Sequence, residues 1–177
     1  MTAPIRVATA ADWPQIWPFF QSTVAAGETY AYPDDLASTE AAALWMETPP
    51  GITIVYDGGG AVLGSAKMGP NRPARGSHIG TANFMVAPEA RGHGVGRALA
   101  EWMIDWHRRE GYRGIQFNAV VETNTHALQL WRDLGFRSVG VVPGAFRSAT
   151  HGYVGLHVMF LDLTEAGDSA KGDDGGG

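Results

Sequence analysis

Val86-Ala87-Pro88-Glu89-Ala90-Arg91-Gly92-His93-Gly94-Val95-Gly96-Arg97-Ala98-Leu99 reads as the end of a strand, a glycine-rich turn and the start of a helix carrying positive charge. Gly92, Gly94 and Gly96 allow a tight turn that bares backbone N–H groups, and the helix behind them adds its positive dipole end and up to about four unpaired donors. The run is a cradle for an anion, with room for a pyrophosphate. Two well-known phosphate loops fail on spacing. A Walker loop needs Lys followed by Ser or Thr after its last glycine, and a dinucleotide fingerprint needs a small residue where Arg97 stands. A plain glycine-containing loop ahead of a helix is the competing reading of the run taken alone.

Upstream, residues His78 to Val86 form the strand that delivers the chain to the cradle, behind a loop from Gly69 to Gly76. Residues 52–56 and 61–68 read as an antiparallel hairpin turned at Asp57-Gly58-Gly59-Gly60. A helix capped by Ser38 precedes it and stops at Pro49-Pro50. Trp13, Ile16, Trp17 and Phe20 recur at helical spacing after a short strand at 5–8, with Pro18 placed to bend or interrupt that helix. Between the two helices, residues 27–35 mix turn formers with Glu28, Tyr30 and Tyr32, the pattern of a binding loop or of a loop packed on its own tyrosines. Downstream, Val95, Leu99, Trp102, Met103 and Trp106 line one face of a long helix over 94–110. A strand at 115–121 leads to a helix capped by Thr123 or Asn124 and closed by Gly135-Phe136. Strands at 138–142 and 153–161 follow, joined by a loop containing Pro143-Gly144-Ala145-Phe146-Arg147. The tail over 164–177 is polar and glycine-rich and reads as disordered.

A chain of 177 residues, 45% hydrophobic and 18% charged, supports one sizeable core and one domain. With a net charge of −5 and scattered cations, it lacks the basic face that nucleic acid or an anionic membrane requires, so its anionic ligand is expected to be small. There is no cysteine, which excludes disulfides, thiolate metal sites and a thiol nucleophile. The six histidines show no compact ligand spacing, so no metal is expected. No stretch reaches the roughly eighteen apolar residues of a membrane span, and no leader pattern is seen, so the expected location is the cytoplasm.

With the strand end Phe84-Met85-Val86 ahead of it, Arg91-x-x-Gly94-x-Gly96 resembles the Arg-x-x-Gly-x-Gly/Ala signature of the GNAT acetyltransferase superfamily. A second marker of that superfamily, Asn-x-x-Ala followed by an aromatic residue and Leu-Gly-Phe, stands here as Asn124, Ala127, Trp131 and Leu134-Gly135-Phe136. The order strand, two helices, three strands, helix, strand, helix, two strands is similar to that fold across residues 4–163. The resemblance implies a single α/β domain over 1–163, with a mixed, mostly antiparallel sheet of about seven strands flanked by about four helices. It implies acetyl-coenzyme A as co-substrate, held by Met85, Val86, Arg91, Gly92, His93, Gly94, Val95, Gly96, Arg97, Asn124 and Trp131. A homodimer also fits the superfamily. Two departures stand out. Many members carry a tyrosine where Trp131 stands, and an indole is no usable acid. Many carry a glutamate base on the strand that here runs from His78 to Val86 without a carboxylate.

A narrower resemblance, to the L-azetidine-2-carboxylate N-acetyltransferase group, rests on Asn83 before the coenzyme loop and on Asn118 and Asn124 around the next strand and helix. It implies that Asn83 and Asn118 position the carboxylate and amine of a small amino-acid-like acceptor while Asn124 sits beside the thioester. The acceptor would be a cyclic imino acid such as azetidine-2-carboxylate or another proline analogue, which makes detoxification the implied role. An asparagine among apolar strand residues is costly if unpaired, whereas Asn124 is also a good helix cap. Direct attack by a neutral amine is the expected route, with backbone N–H groups near Met85 and Val86 polarising the carbonyl. His78, Glu28, Glu122 and His126 are candidate bases, none singled out by sequence. A module that binds acetyl-coenzyme A without turnover, and an enzyme acting on a protein N-terminus or lysine, are the alternatives.

Overall fold

The computed structural model describes residues 4–164, so the tail expected over 164–177 lies, Thr164 apart, outside the described residues. Seven strands form one sheet: β1 (Ile5–Val7), β2 (Ile52–Asp57), β3 (Val62–Pro70), β4 (Ile79–Val86), β5 (Gly114–Val121), β6 (Arg137–Ser148) and β7 (Gly152–Asp162). Their order across the sheet is β1-β2-β3-β4-β5-β7-β6. Every neighbouring pair is antiparallel except β4 and β5, which run parallel and meet only at Ile79–Gly114 and Gly80–Ile115. Beyond those two rungs the strands separate. The fold class expected from the sequence, α/β with a mixed, mostly antiparallel sheet of seven strands flanked by four helices, is the one observed among the described residues.

Four helices cover the sheet: α1 (Trp13–Ala25), α2 (Ser38–Trp45), α3 (Val95–Arg109) and α4 (Thr125–Asp133). Side chains alternate faces along β3 and β4, and the alternation sorts the helices. Trp45 of α2 donates its indole N–H to Ser65 Oγ at 2.9 Å, opposite Met85, so α1 and α2 lie on the odd-numbered face of β4. Phe84 packs on Trp131 of α4 with ring centres 5.0 Å apart, and His107 of α3 presses on Gly80, so α3 and α4 lie on the even-numbered face. The core runs through both layers, with Ile16, Phe20, Trp45, Ile54, Leu99, Met103, Ile115 and Met159 essentially inaccessible. Gly80 is required by contact: a Cβ there would stand 2.1 Å from His107 Cδ2.

Three local expectations are corrected. Pro18 lies inside α1 without interrupting it: the bond it forgoes is to the carbonyl of Pro14, an exposed residue of the first turn that solvent can reach. Ser38 is the first residue of α2 rather than its cap. The cap is Ala37, whose N–H is taken by Glu40 Oε2 at 2.9 Å, leaving Ser38 Oγ to accept the Trp13 indole N–H at 2.9 Å. Pro143 through Arg147 belong to β6 and are not a connecting loop. Two extra residues are absorbed as a bulge between Val142 and Phe146, and because β6 is the outer strand, Pro143 has no ladder bond to lose on its open side.

Candidate active site

The cradle sits where β4 ends. A short turn at Pro88–Ala90 carries the chain to Gly92 (φ 79°) and Gly94 (φ 80°), backbone settings that favour glycine, and Gly94 caps α3. The N–H of Ala98 is the first in α3 to find its own carbonyl, that of Gly94 at 3.0 Å. Among the described residues the N–H groups of Gly92, Gly94, Val95, Gly96 and Arg97 therefore have no acceptor. Gly96 adds a second sign of a ligand. A Cβ there would meet nothing nearer than Val86 Cγ2 at 3.7 Å, ordinary contact, so the protein's own packing does not demand glycine. Arg91 and His93 are exposed beside the cradle, His93 Nδ1 lying 3.0 Å from the Arg91 carbonyl. Arg97 directs its guanidinium to Asp133 at 3.1 Å and Glu101 at 3.9 Å, so what it offers the cradle is its backbone N–H.

The β3–β4 ladder fixes which strand groups face the gap beside β4. Ala87 donates to Leu63 at 2.9 Å and Asn71 to Ile79 at 2.8 Å, so odd-numbered residues of β4 pair with β3 while Ala82, Phe84 and Val86 turn their amides toward the opening. Met85 thus has its N–H on the β3 side and is buried, which corrects its expected part in polarising a carbonyl. Val86 has the N–H that faces the gap. Phe84's two groups are already occupied: the Tyr30 hydroxyl donates to its carbonyl at 2.6 Å and accepts its N–H at 3.0 Å. Burial pushes the Tyr30 phenol well above its usual pKa, so it stays neutral.

The gap opens into a cavity of about 240 Å³ whose lining includes Tyr30, Thr81, Asn83, Phe84, Asn118, Asn124 and Trp131, and includes no acidic, basic or imidazole side chain. All three asparagines singled out in the sequence therefore meet in one place. Asn83 makes no side-chain hydrogen bond among the described residues. Asn118 exchanges amide bonds with Asn71, donating at 2.6 Å and accepting at 3.4 Å, and also accepts from Gln116 at 2.9 Å. Asn124 caps α4, its Oδ1 accepting the Ala127 N–H at 3.2 Å, with its NH2 group left free. Trp131 is buried, its ring centre 4.6 Å from Phe117 and 5.6 Å from Phe136. Thr81 and Asn83 also line a second, open cavity of about 410 Å³ on the α2 side, together with Glu47, Lys67, Asn71 and Arg72. Asn71 had no sequence signal; only the fold brings it across the gap to Asn118.

None of the candidate bases lines the gap. Glu28 receives Ser148 Oγ at 2.6 Å and both the N–H and hydroxyl of Thr150 at 2.9 Å, bonds led by Ser148 that hold its carboxyl below the usual range. It ties the loop between α1 and α2 to the β6–β7 turn. Glu122 accepts the Gly155 N–H at 2.7 Å, and His78 and His126 are exposed. Among the described residues no three His, Asp or Glu side chains form a metal-binding group, and no helix is long and apolar enough to cross a membrane.

A bare helix N-terminus facing a split in a mixed sheet is a seat for a phosphate-bearing ligand, and uncharged amides line the cavity in the split. The chain belongs to the acetyltransferase (GNAT) family, whose model matches residues 13–136. It is similar to a GCN5-related N-acetyltransferase of Kribbella flavida, with 59% identity, a TM-score of 0.87, and coverage of 90% of this chain and 96% of that one. A phosphinothricin acetyltransferase of Sinorhizobium meliloti, solved with acetyl-coenzyme A, shares 26% identity and a TM-score of 0.82 over 99% of this chain and 95% of that one. The N-acetyltransferase aca1 of Schizosaccharomyces pombe is 34% identical over 112 residues, which are 63% of this chain and 54% of aca1, so the match spans about half of that relative. Acetyl-coenzyme A is the family's co-substrate, and the unpartnered N–H groups of Gly92, Gly94, Val95, Gly96 and Arg97 fit its pyrophosphate.

Proposed function

We propose that this chain moves an acetyl group directly to the amine of a small amino-acid-like acceptor, with a cyclic imino acid such as azetidine-2-carboxylate or a proline analogue as the first candidate. The observation that carries the reading is the convergence of Asn83, Asn118 and Asn124 on one cavity without charged side chains. Amides orient donors and acceptors without titrating, which suits an acceptor presenting both a carboxylate and an amine. On the adjoining cavity that shares Asn83, Arg72 offers a cation to a carboxylate, while Lys67 is already paired with Glu47 at 3.1 Å.

Acetyl-coenzyme A supplies an acetyl group already activated as a thioester. The residues of the chain then have defined work. The N–H groups of Gly92, Gly94, Val95, Gly96 and Arg97 hold the pyrophosphate, and Arg91 adds positive charge nearby. The Val86 N–H, facing the gap, polarises the carbonyl under attack. Asn83 and Asn118 orient the acceptor, and the aromatic wall of Phe84, Phe117 and Trp131 excludes water from one side. With no base in the cavity lining, the amine enters neutral and water removes its proton, so the pH dependence follows the acceptor's own pKa.

The test is thiol release from acetyl-coenzyme A across a panel of proline analogues, linear amino acids, amino-acid amides, simple amines and peptides with free N-termini. Turnover confined to acceptors with a carboxylate beside the amine is expected. Preference for peptides or amides redirects the reading to a protein acceptor, and tight coenzyme binding without release on any amine makes the chain a binding module.

A further inference from the structure

We propose that the Tyr30 hydroxyl oxygen holds the acceptor nitrogen, accepting its N–H in the gap between β4 and β5 where that oxygen is already fixed on both backbone groups of Phe84. The inference rests on the acetyl-transfer reading above and adds to it the residue that aims the nucleophile.

A phenol hydroxyl has one proton and two lone pairs. The proton goes to the Phe84 carbonyl at 2.6 Å, and one lone pair takes the Phe84 N–H at 3.0 Å. One lone pair remains, on the one phenol that lines the cavity with Asn83, Asn118 and Asn124. Since both partners belong to one strand residue, the hydroxyl is not free to turn its proton outward. It presents an acceptor only, which matches an amine N–H and disfavours a carboxylate oxygen. The ring is equally fixed. It stacks on Tyr32 at 5.6 Å and 14° and meets Trp45 edge-on at 6.3 Å, while Glu28, two residues earlier, is tied to Ser148 and Thr150.

A neutral secondary amine has one N–H, so a single acceptor is enough to set the direction of its lone pair. The nitrogen pair then forms the N–C bond as the C–S bond breaks, and the electron pair of that bond leaves with sulfur. Positive charge grows on nitrogen during the step, the N–H becomes a stronger donor, and its bond to Tyr30 tightens in the transition state. The proton afterwards passes to water and ends on the sulfur, which balances the reaction without a basic side chain.

The full chain with Tyr30→Phe and the full chain carrying 3-fluorotyrosine at position 30 test this. Fluorine makes the phenol a weaker acceptor and a stronger acid, and it keeps the fold. Tyr30→Phe should lower kcat/KM for the acceptor about ten- to a hundredfold, the loss of one hydrogen bond to a group gaining charge, with acetyl-coenzyme A affinity by calorimetry within about twofold of wild type. Fluorination should lower kcat/KM severalfold. A rate that rises on fluorination makes Tyr30 a proton donor and overturns the proposal. So does a Tyr30→Phe protein that retains full acceptor kcat/KM, or one that loses coenzyme affinity in parallel. A wild-type protein that acetylates no amine sinks the acetyl-transfer reading and this inference with it, an outcome separate from the others.

Discussion

Gly96 gives the sharpest prediction because the protein and the ligand should respond to its substitution in opposite directions. A Cβ at this position has only Val86 Cγ2 within 4 Å, at 3.7 Å, and the residue is the second of α3. Gly96→Ala should therefore stabilise the ligand-free protein by up to about 1 kcal/mol through helix propensity, a rise in Tm of about 2–4 °C for a chain of this size. Its single methyl should leave acetyl-coenzyme A affinity within a few-fold. Gly96→Val should leave stability within about 0.5 kcal/mol, since valine's propensity lies between those of glycine and alanine. Its branched side chain, however, stands over the N–H groups of residues 95–97. Losing one hydrogen bond to a charged group costs about 1.5–3 kcal/mol, or roughly ten- to a hundredfold in Kd. Calorimetric melts without ligand, paired with titration of acetyl-coenzyme A, read both effects. A valine variant of normal stability and normal affinity would refute the placing of the pyrophosphate at this helix end, and a destabilised alanine variant would refute the account of the space around Gly96.

Other expectations are briefer. His107 is inaccessible, and burial pushes its imidazole down to about 4 from an ordinary 6.5. A folded pKa below the unfolded one stabilises the fold fully above about pH 6.5 and loses that stabilisation as pH falls toward 4, about 3 kcal/mol in all. Urea unfolding at pH 7 and pH 5 should show a loss in this window, where no carboxylate titration contributes much; a flat profile would contradict it. Glu28→Gln should raise KM for the acceptor while leaving coenzyme affinity and the shape of the pH–rate profile unchanged; disappearance of an acid limb would make Glu28 a base after all. Asn118→Ala should lower acceptor kcat/KM about ten- to a hundredfold and spare coenzyme binding, as one bond to a carboxylate is lost. Full activity in both Asn118→Ala and Asn83→Ala on every acceptor would end the imino-acid reading.

Local chemistry was legible where a residue's job is settled by its neighbours in sequence. The glycine cradle, the Asn124 cap and the Gly135-Phe136 closure all depend on atoms within a few residues, and each lies where its spacing places it. Errors arose where a distant element decides. Pro143-Gly144 looks like a turn, but pairing with β7 carries the strand through it as a bulge. Ser38 looks like a cap until the Trp13 indole, 25 residues earlier, claims its hydroxyl. Glu28 reads as a candidate base because nothing nearby in sequence engages it; Ser148 and Thr150 do, from the far end of the chain. Asn71 and the Phe84 contact of Tyr30 had no signal at all, since both follow from the parting of β4 and β5, a property of the sheet rather than of any segment.

The place of β7 bears on how the molecule is made. This strand comes last in the order of synthesis among the seven, yet it lies inside the sheet, between β5 and β6. A ribosome that has released the chain through Phe136 has exposed the cradle, all four helices and five strands, but β5 at that moment is anchored to β4 by two rungs and is otherwise open. The half of the domain that forms the far wall of the gap must wait for about 25 further residues before its edge is paired, an interval of a few seconds at ordinary elongation rates. During that interval an unpaired strand of alternating apolar residues is on display, the situation in which nascent chains attract chaperones or one another. Slowing translation once β5 has left the ribosome should therefore reduce soluble yield more than slowing it before β5 emerges.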